Sequence, residues 1–385
     1  MIRPASLLKL TPLYVHVFFL LLLLSLVLKL FGRNYTNLLI FYAFPGLISG
    51  VIFQLYPTIQ GYSIRGEVFT YAYMLLWIGN TLYYLLFGKI NTLFYFTLPF
   101  LHMMLLVFNT KKLKDPIVLF ILTGSLFYLL SGVFVNHENR LFLKHLITVG
   151  YFMPVIVGSY YVFVPMLQLE SLDRRYILWI NLAIQATSSI LVSLSWYLSN
   201  YTYLSYSGIV QLLSVGVLSY GVYDTLNQRR SPLKGLDVSV KFLILGLFLC
   251  WFYLLIGVSI AGIKDFGLFM LHSDGMLYGF LTVITVGASY HILPFLFWWK
   301  FYAPKMGKEK VPTLKQILDV KVAERLLILI PPMITGLLLG NVLHPYMEKL
   351  FSFLLFLTFG YYTFRITPLV LKTLLRANQF IIFPC

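Results

Sequence analysis

The chain has 385 residues, 59% of them hydrophobic and only 11% charged. That is too little polar surface for a water-soluble domain, and apolar runs repeatedly reach the roughly 20 residues needed to cross a bilayer. The net charge of +16 raises the question of nucleic acid, but the placement of the charges argues otherwise. The two cysteines, Cys250 and Cys385, allow neither a disulfide framework nor a CxxC metal site.

The apolar pattern predicts an all-α polytopic membrane protein with about twelve transmembrane helices in a single transmembrane domain over 1–385. In chain order the spans are 13–31, 37–56, 68–88, 91–108, 116–135, 143–165, 176–198, 204–224, 239–262, 270–299, 324–343 and 350–371. The first run follows Lys9, is long and lacks a small-residue cleavage site, so it reads as a retained helix and not a cleaved signal. A tight hairpin falls at Gly88–Asn91, and Pro331 and Pro332 interrupt the eleventh span. If the spans alternate, 22 of the 29 lysines and arginines share one side with both termini. The other side holds Lys29, Arg33, Lys89, Arg140, Lys144, Lys264 and Lys349. Such a split predicts cytoplasmic termini and explains the basic balance without nucleic acid. The longest polar stretch, 301–323, is predicted to be a cytoplasmic basic loop against the membrane.

An internal repeat runs through the spans. "GYFMPVIVGSYYVFVPML" (Gly150–Leu167) aligns without a gap on "GFLTVITVGASYHILPFL" (Gly279–Leu296). Gly150, Gly158 and Pro165 match Gly279, Gly287 and Pro294, and "GVIFQLYP" gives Gly50 and Pro57 at the same separation. These are spans two, six and ten, which implies three four-helix pseudo-repeats over about 13–108, 116–224 and 239–371. An even number of helices per repeat keeps the copies in one orientation, unlike the inverted repeats of many transporters. Helix packing and helix ends account for glycine and proline occurring at all. They do not account for one spacing recurring every fourth span.

Three helix quartets with twelve spans and cytoplasmic termini resemble the large subunit of the haem–copper oxidases. That superfamily includes the terminal oxidases, the nitric oxide reductases and smaller nitric-oxide-response membrane proteins. The family's tenth span carries a His-x-His pair, a glycine and a His-x-x-Pro exit; His272, Gly287, His291 and Pro294 fall at that spacing. "HSDGMLYGF" also looks like the His-Thr-Asn start of the second span in cbb-type oxidases. In the sixth span His145 precedes Pro154 by the separation that the family gives an active-site copper histidine and a proline.

The departures are as informative. In the family the first His of the pair takes the active-site haem and the second the low-spin haem; here the second is Asp274. The low-spin partner belongs in span two, where Tyr35 and Asn37 stand and no histidine is found. The copper His-His pair of span seven has no match in "YILWINLAIQATSSILVSLSWYLSN". Nor does "NVLHPYMEK" supply the arginines that grip haem propionates.

With a cytoplasmic N-terminus, His145 and His272 both start even spans and lie in the outer third at similar depth. Two imidazoles at one depth are suited to haem iron, another transition metal or copper, or to capping a neighbouring helix. In the repeat alignment His145 stands over Asp274 and not over His272. Asp274 is a candidate second-shell acceptor for the haem ligand, but points about 200° around the helix from His272. It is equally suited to a bond with an adjacent helix. His291 lies roughly 28 Å of helical rise from His272 and is assigned a helix-end role. His16 and His102 read as structural; His137 and His344 fall in outer loops, with His344 within reach of a site near His272.

The resemblance implies one b-type haem on His272, with His145 opposite as sixth ligand, gas-site residue or candidate copper ligand, in a prokaryotic inner membrane. It implies gas, nitric oxide or electron chemistry in respiration, as a haem-dependent oxidoreductase or beside other respiratory membrane subunits, and not a proton-pumping terminal oxidase. The alternative is a cofactor-free membrane carrier or an assembly partner of a membrane complex.

Overall fold

The computed structural model describes residues 10–61, 64–228, 230 and 235–375. Met1, Arg3, Lys9, Arg229, Lys234, Arg376 and Cys385, which enter the assignment of sides and termini, lie outside the described residues. Twelve helical rods occupy the twelve predicted positions. They are α1 (Leu10–Leu30), α2 (Thr36–Gln60), α3 (Glu67–Phe87), α4 (Thr92–Phe108), α5 (Pro116–Val133) and α6 (Arg140–Gln168). The second half comprises α7 (Tyr176–Tyr197), α8 (Tyr201–Gln228), α9 (Val238–Ile263), α10 (Phe266–Phe301), α11 (Val320–Leu343) and α12 (Pro345–Leu374). Ten are long and apolar enough to cross a membrane; α3 is not among the ten, and α4 is apolar but shorter. The chain is thus a polytopic helical membrane protein.

Several rods run past their predicted ends, because capping and polar turns extend a helix beyond its apolar stretch. Asp319 caps α11, which starts four residues before the predicted start, by accepting from the Lys321 N–H at 2.9 Å. Pro331 and Pro332 do not interrupt α11, which continues through both; neighbouring helices shelter the carbonyls that such prolines free. At the α3–α4 hairpin Gly88 adopts φ +66° and Asn91 caps α4 through the Phe94 N–H.

The π-helical turns follow the sequence repeat. α2 is π-helical over Leu39–Ala43, α6 over Leu146–Phe152 and α10 over Gly275–Leu281. The last two coincide under the alignment of Gly150 on Gly279, and the first falls inside them when Gly50 is laid on Gly158. In α2 and α6 a proline, Pro45 or Pro154, follows closely. Proline lacks an N–H and crowds the carbonyl four residues back, a demand that a preceding π turn relieves. In α10 the Thr282 hydroxyl takes up a carbonyl five residues back, Leu277 O at 2.8 Å.

The repeated glycines are buried, and each faces the helix before its own. A Cβ at Gly50 would lie 2.2 Å from the Tyr14 ring on α1, at Gly158 2.8 Å from Phe120 Cβ on α5, and at Gly287 2.5 Å from Phe242 Cβ on α9. Small residues let helices approach closely where hydrophobic burial gives no drive between them. Buried polar contacts add to this: Gln185 on α7 and Gln211 on α8 exchange amide bonds at 3.0 Å, flanked by Ser188 and Ser214.

Alanine at Gly50, Gly158 or Gly287 should each cost about 1–3 kcal/mol through overpacking. Gly79→Ala, which meets open space, should be neutral or stabilising. Thermal unfolding in detergent checks this; equal losses at all four positions would contradict the packing account.

Candidate cofactor site

At the end of the bundle where α1 stops and α2 begins, a cavity of about 130 Å³ lies among α6, α7, α8, α9 and α10, and both His145 and His272 line it. The rest of its lining is largely apolar, with Lys144, Thr148, Gln211 and Ser273 as polar exceptions.

The helices fix each imidazole through its Nδ1. His272 Nδ1 lies 2.7 Å from the Tyr253 carbonyl on α9. The Tyr253 ring sits over Gly275 and Gly279, where added Cβ atoms would lie 2.3 and 2.8 Å from it. One turn further along α9, Gly257 leaves room for the His272 ring; a Cβ there would lie 2.6 Å from Cε1. His145 Nδ1 lies 2.9 Å from the Leu141 carbonyl of its own helix, and its ring packs on Trp196 of α7 at 4.7 Å between centroids. A carbonyl accepts, so each Nδ1 carries the proton and each Nε2 is left as a bare lone pair. That is the tautomer and outer-shell arrangement of a metal-ligating histidine. The donor set fits a haem iron, which needs one or two axial imidazoles. A copper site would find only these two imidazoles, since the described residues contain no group of three or more His, Cys, Asp or Glu suited to a metal.

Asp274 does not orient His272, whose Nδ1 is held by Tyr253. Two residues along a helix point to nearly opposite sides, and Asp274 faces α1, α2 and α11. Its Oδ2 lies 2.8 Å from Lys29 Nζ and accepts from Asn341 Nδ2 at 2.8 Å; its Oδ1 accepts from the Tyr35 hydroxyl at 2.6 Å. Lys29 also pairs with Glu348 of α12 at 2.6 Å. The side chains of Lys29 and Asp274 are 1% and 0% exposed, so this ion pair is fully withdrawn from solvent, while Glu348 at 29% reaches the surface.

The repeat relates these two pairings. Tyr35 and His272 stand equally far before Gly50 and Gly287, while His145 and Asp274 are equivalent through Gly150 and Gly279. Tyr35 of the first repeat meets Asp274 of the third directly, and His272 of the third shares the cavity with His145 of the second. One crevice is closed by a hydrogen bond and the equivalent crevice is open. Nothing in the composition marks Lys29 as the partner of Asp274, and no sequence signal points to Tyr253 O or Gly257.

The other histidines are placed elsewhere. His102 is fully buried with Nε2 2.9 Å from Ser125 Oγ, among the rings of Phe53, Tyr73, Tyr128 and Tyr151. His291 lies well inside α10, which continues to Phe301, and stacks on Phe295 at 6.0 Å; it has no helix-end role. His344 caps α12 by accepting from the Tyr346 N–H at 3.3 Å and does not line the cavity. His137 packs on Phe142 and Tyr197, and His16 lies within α1.

No protein-family profile matches the chain. Its sequence is 27% identical over 308 residues to an uncharacterized protein of Aquifex aeolicus (strain VF5), an alignment covering 76% of this chain and 80% of that protein.

Removing one partner of a buried ion pair strands the other charge. Lys29→Met should therefore cost about 3–5 kcal/mol. Asp274→Asn should cost less, because Lys29 keeps Glu348 and the amide oxygen still accepts from Tyr35. Unfolding midpoints in detergent decide the order; a larger loss for Asp274→Asn would contradict it.

Proposed function

We propose that this protein carries one b-type haem between His272 and His145 and serves gas, nitric oxide or electron chemistry in a respiratory membrane. One observation carries the reading: two imidazoles on different helices, each with Nδ1 committed to a carbonyl, line one largely apolar cavity. The likeness of the sequence to the haem–copper oxidases, which implies a haem ligand at His272 and an active-site residue at His145, supports the same reading. His272 is the principal ligand, since α9 holds its ring from two sides. His145, braced by Trp196, faces it as sixth ligand or gas-site residue. Lys144, on the cavity wall and 3.2 Å from Thr36 Oγ1, is the cation nearest to hand for an anionic group on the ligand. Haem bound here supplies an iron centre for gas binding or one-electron transfer.

A second haem and a proton pump are not part of the proposal. Tyr35 and Asp274 engage each other where the family's low-spin ligands stand. The polar residues of α7 bond to α6 and α8, Asn181 to Tyr161, Ser189 to Val149 O, and Gln185 and Ser188 to Gln211, and α7 carries none of the family's copper histidines. All twelve rods are proposed to cross the bilayer, α3 and α4 included, with Met1 and Cys385 on the cytoplasmic side of a prokaryotic inner membrane. The charge split supports this: Lys29, Arg33, Lys89, Arg140, Lys144, Lys264 and Lys349 fall at the His272 end of the bundle.

Reporter fusions at Gly307 should read cytoplasmic and fusions at Asn200 external; the reverse at either site overturns the topology. For the site, His272→Ala should lose haem, and His145→Ala should keep it with a spectrum shifted towards five-coordination or with changed gas affinity. His291→Ala should leave the spectrum unchanged. Haem-to-protein ratios and visible spectra at equal expression test the series, and full haem content in His272→Ala rejects the assignment.

A further inference from the structure

The histidine cavity runs out to the ends of three helices. Its lining extends from Gln211, Leu277 and Leu281, inside the bundle, to Leu141, Tyr201 and Phe266, which are first or second residues of α6, α8 and α10. Around this opening the helix flanks are tied together. Ser205 of α8 donates to Val258 O of α9 at 3.5 Å, and at Gly208 of α8 a Cβ would lie 2.6 Å from the Val258 side chain. Asn139, which caps α6, donates to Trp196 O of α7 at 2.9 Å.

The helix ends are closed by rings alone. Phe266 meets Tyr201 edge-on at 5.4 Å, and Tyr201 meets Trp196 edge-on at 5.9 Å, so three rings bridge the opening from α10 to α7. Trp196 is 6% exposed, whereas Phe266 is 45% exposed. Phe266 opens a single 3-10 turn, Phe266–Leu268, held by the Asp265 carboxylate accepting from the Gly267 N–H at 2.8 Å. Every residue from Gly262 to Leu268 is exposed. The turns that carry Phe266 and Tyr201 each contain a non-glycine residue in left-handed backbone, Lys264 at φ +61° and Ser199 at φ +52°; among the described residues Leu169 alone shares that state. A side chain disfavours it, and such strain gathers at clamps and switch segments.

We propose that Phe266 and Tyr201 form a lid over the histidine cavity, swung by the segment from Lys264 to Leu268, and that the cavity's ligand passes through it at the helix ends and not between helix flanks from lipid. Phe266 has no polar side-chain atom, so lifting its ring from Tyr201 breaks no hydrogen bond. Segments with few buried contacts open at small cost, and hinges sit at element ends. The lid gives the ligand of the proposed function a route and to that extent rests on that reading; the lid's own movement does not.

Thiol labelling tests it without haem. Leu204, in the cavity lining one turn below Tyr201, is changed as Leu204→Cys in protein carrying Cys250→Ala and Cys385→Ser. The protein is held in lipid nanodiscs and treated with a permanently charged methanethiosulfonate, which does not cross lipid. Adding Phe266→Ala should speed labelling about tenfold, on the scale of one lost ring pair, with Phe266→Leu in between. Labelling at Ile263→Cys, which stands 77% exposed outside the lid, should be the same in all three backgrounds, as should the unfolding midpoint. Equal rates at Leu204→Cys with and without the ring, or no labelling in any background, would overturn the lid. Haem content is measured on the same samples. Lid control in colourless protein would uphold the lid and reject the proposed function; equal rates in protein with full haem would do the reverse.

Discussion

The bundle is organised around one ammonium group. Lys29 lies at the end of α1, among apolar helices, 2.8 Å from Asp274 and 2.6 Å from Glu348. A lone charge in such a place would be very unfavourable, so α10 and α12 must bring their carboxylates to it. Tyr35, immediately before α2, and Asn341 of α11 add donors. Five helices are thereby fixed at one height, and Asp274 is fixed immediately before the π turn of α10. The opposite face of that same helical turn carries His272. The ion pair thus sets the rotation of α10 that delivers an imidazole to the cavity on the far side. Buried ion pairs are weak as net stabilisers but strict about geometry when one partner cannot escape to water, and geometry is what a ligand histidine requires.

The threefold sequence repeat gives this arrangement a simple logic. Each repeat offers two side chains near the start of its second helix, two residues apart and on opposing faces. The first of one repeat faces the second of another across the crevice between them. Between the first and third repeats the pair is Tyr35 and Asp274, which bond and close the crevice. Between the third and second it is His272 and His145, whose Nδ1 atoms are turned to carbonyls. The same backbone geometry therefore produces a clamp in one place and a pair of cavity-lining imidazoles in the other, according to which residues fill the two positions.

Much of this was legible in the sequence. Apolar runs marked the positions of the rods, ten of which, among the described residues, are long and apolar enough to cross a membrane, and capped or polar ends shifted the boundaries. Depth, read from helix number and position, brought His145 and His272 together. Helical periodicity separated Asp274 from His272. Lys29 was counted as one of seven charges on the sparse side and given no chemistry, since its partners lie 245 and 319 residues away and no local pattern encodes such a contact. The supports of His272 were invisible for another reason: Tyr253 contributes a main-chain carbonyl, which every residue has, and Gly257 contributes only the absence of a side chain. His291 was misassigned because the span predicted over 270–299, which ends at Phe301, already carries it in the helix interior and not at an end.

The central claim is that the cavity between His272 and His145 is a haem site, and the composition of the purified protein tests it most directly. Wild-type protein isolated in detergent from haem-replete cells should be coloured, with a Soret band and a pyridine haemochrome of b type corresponding to one haem per chain. Protein that is folded and monodisperse but colourless would contradict the account. The fold would then be that of a cofactor-free membrane carrier or assembly partner.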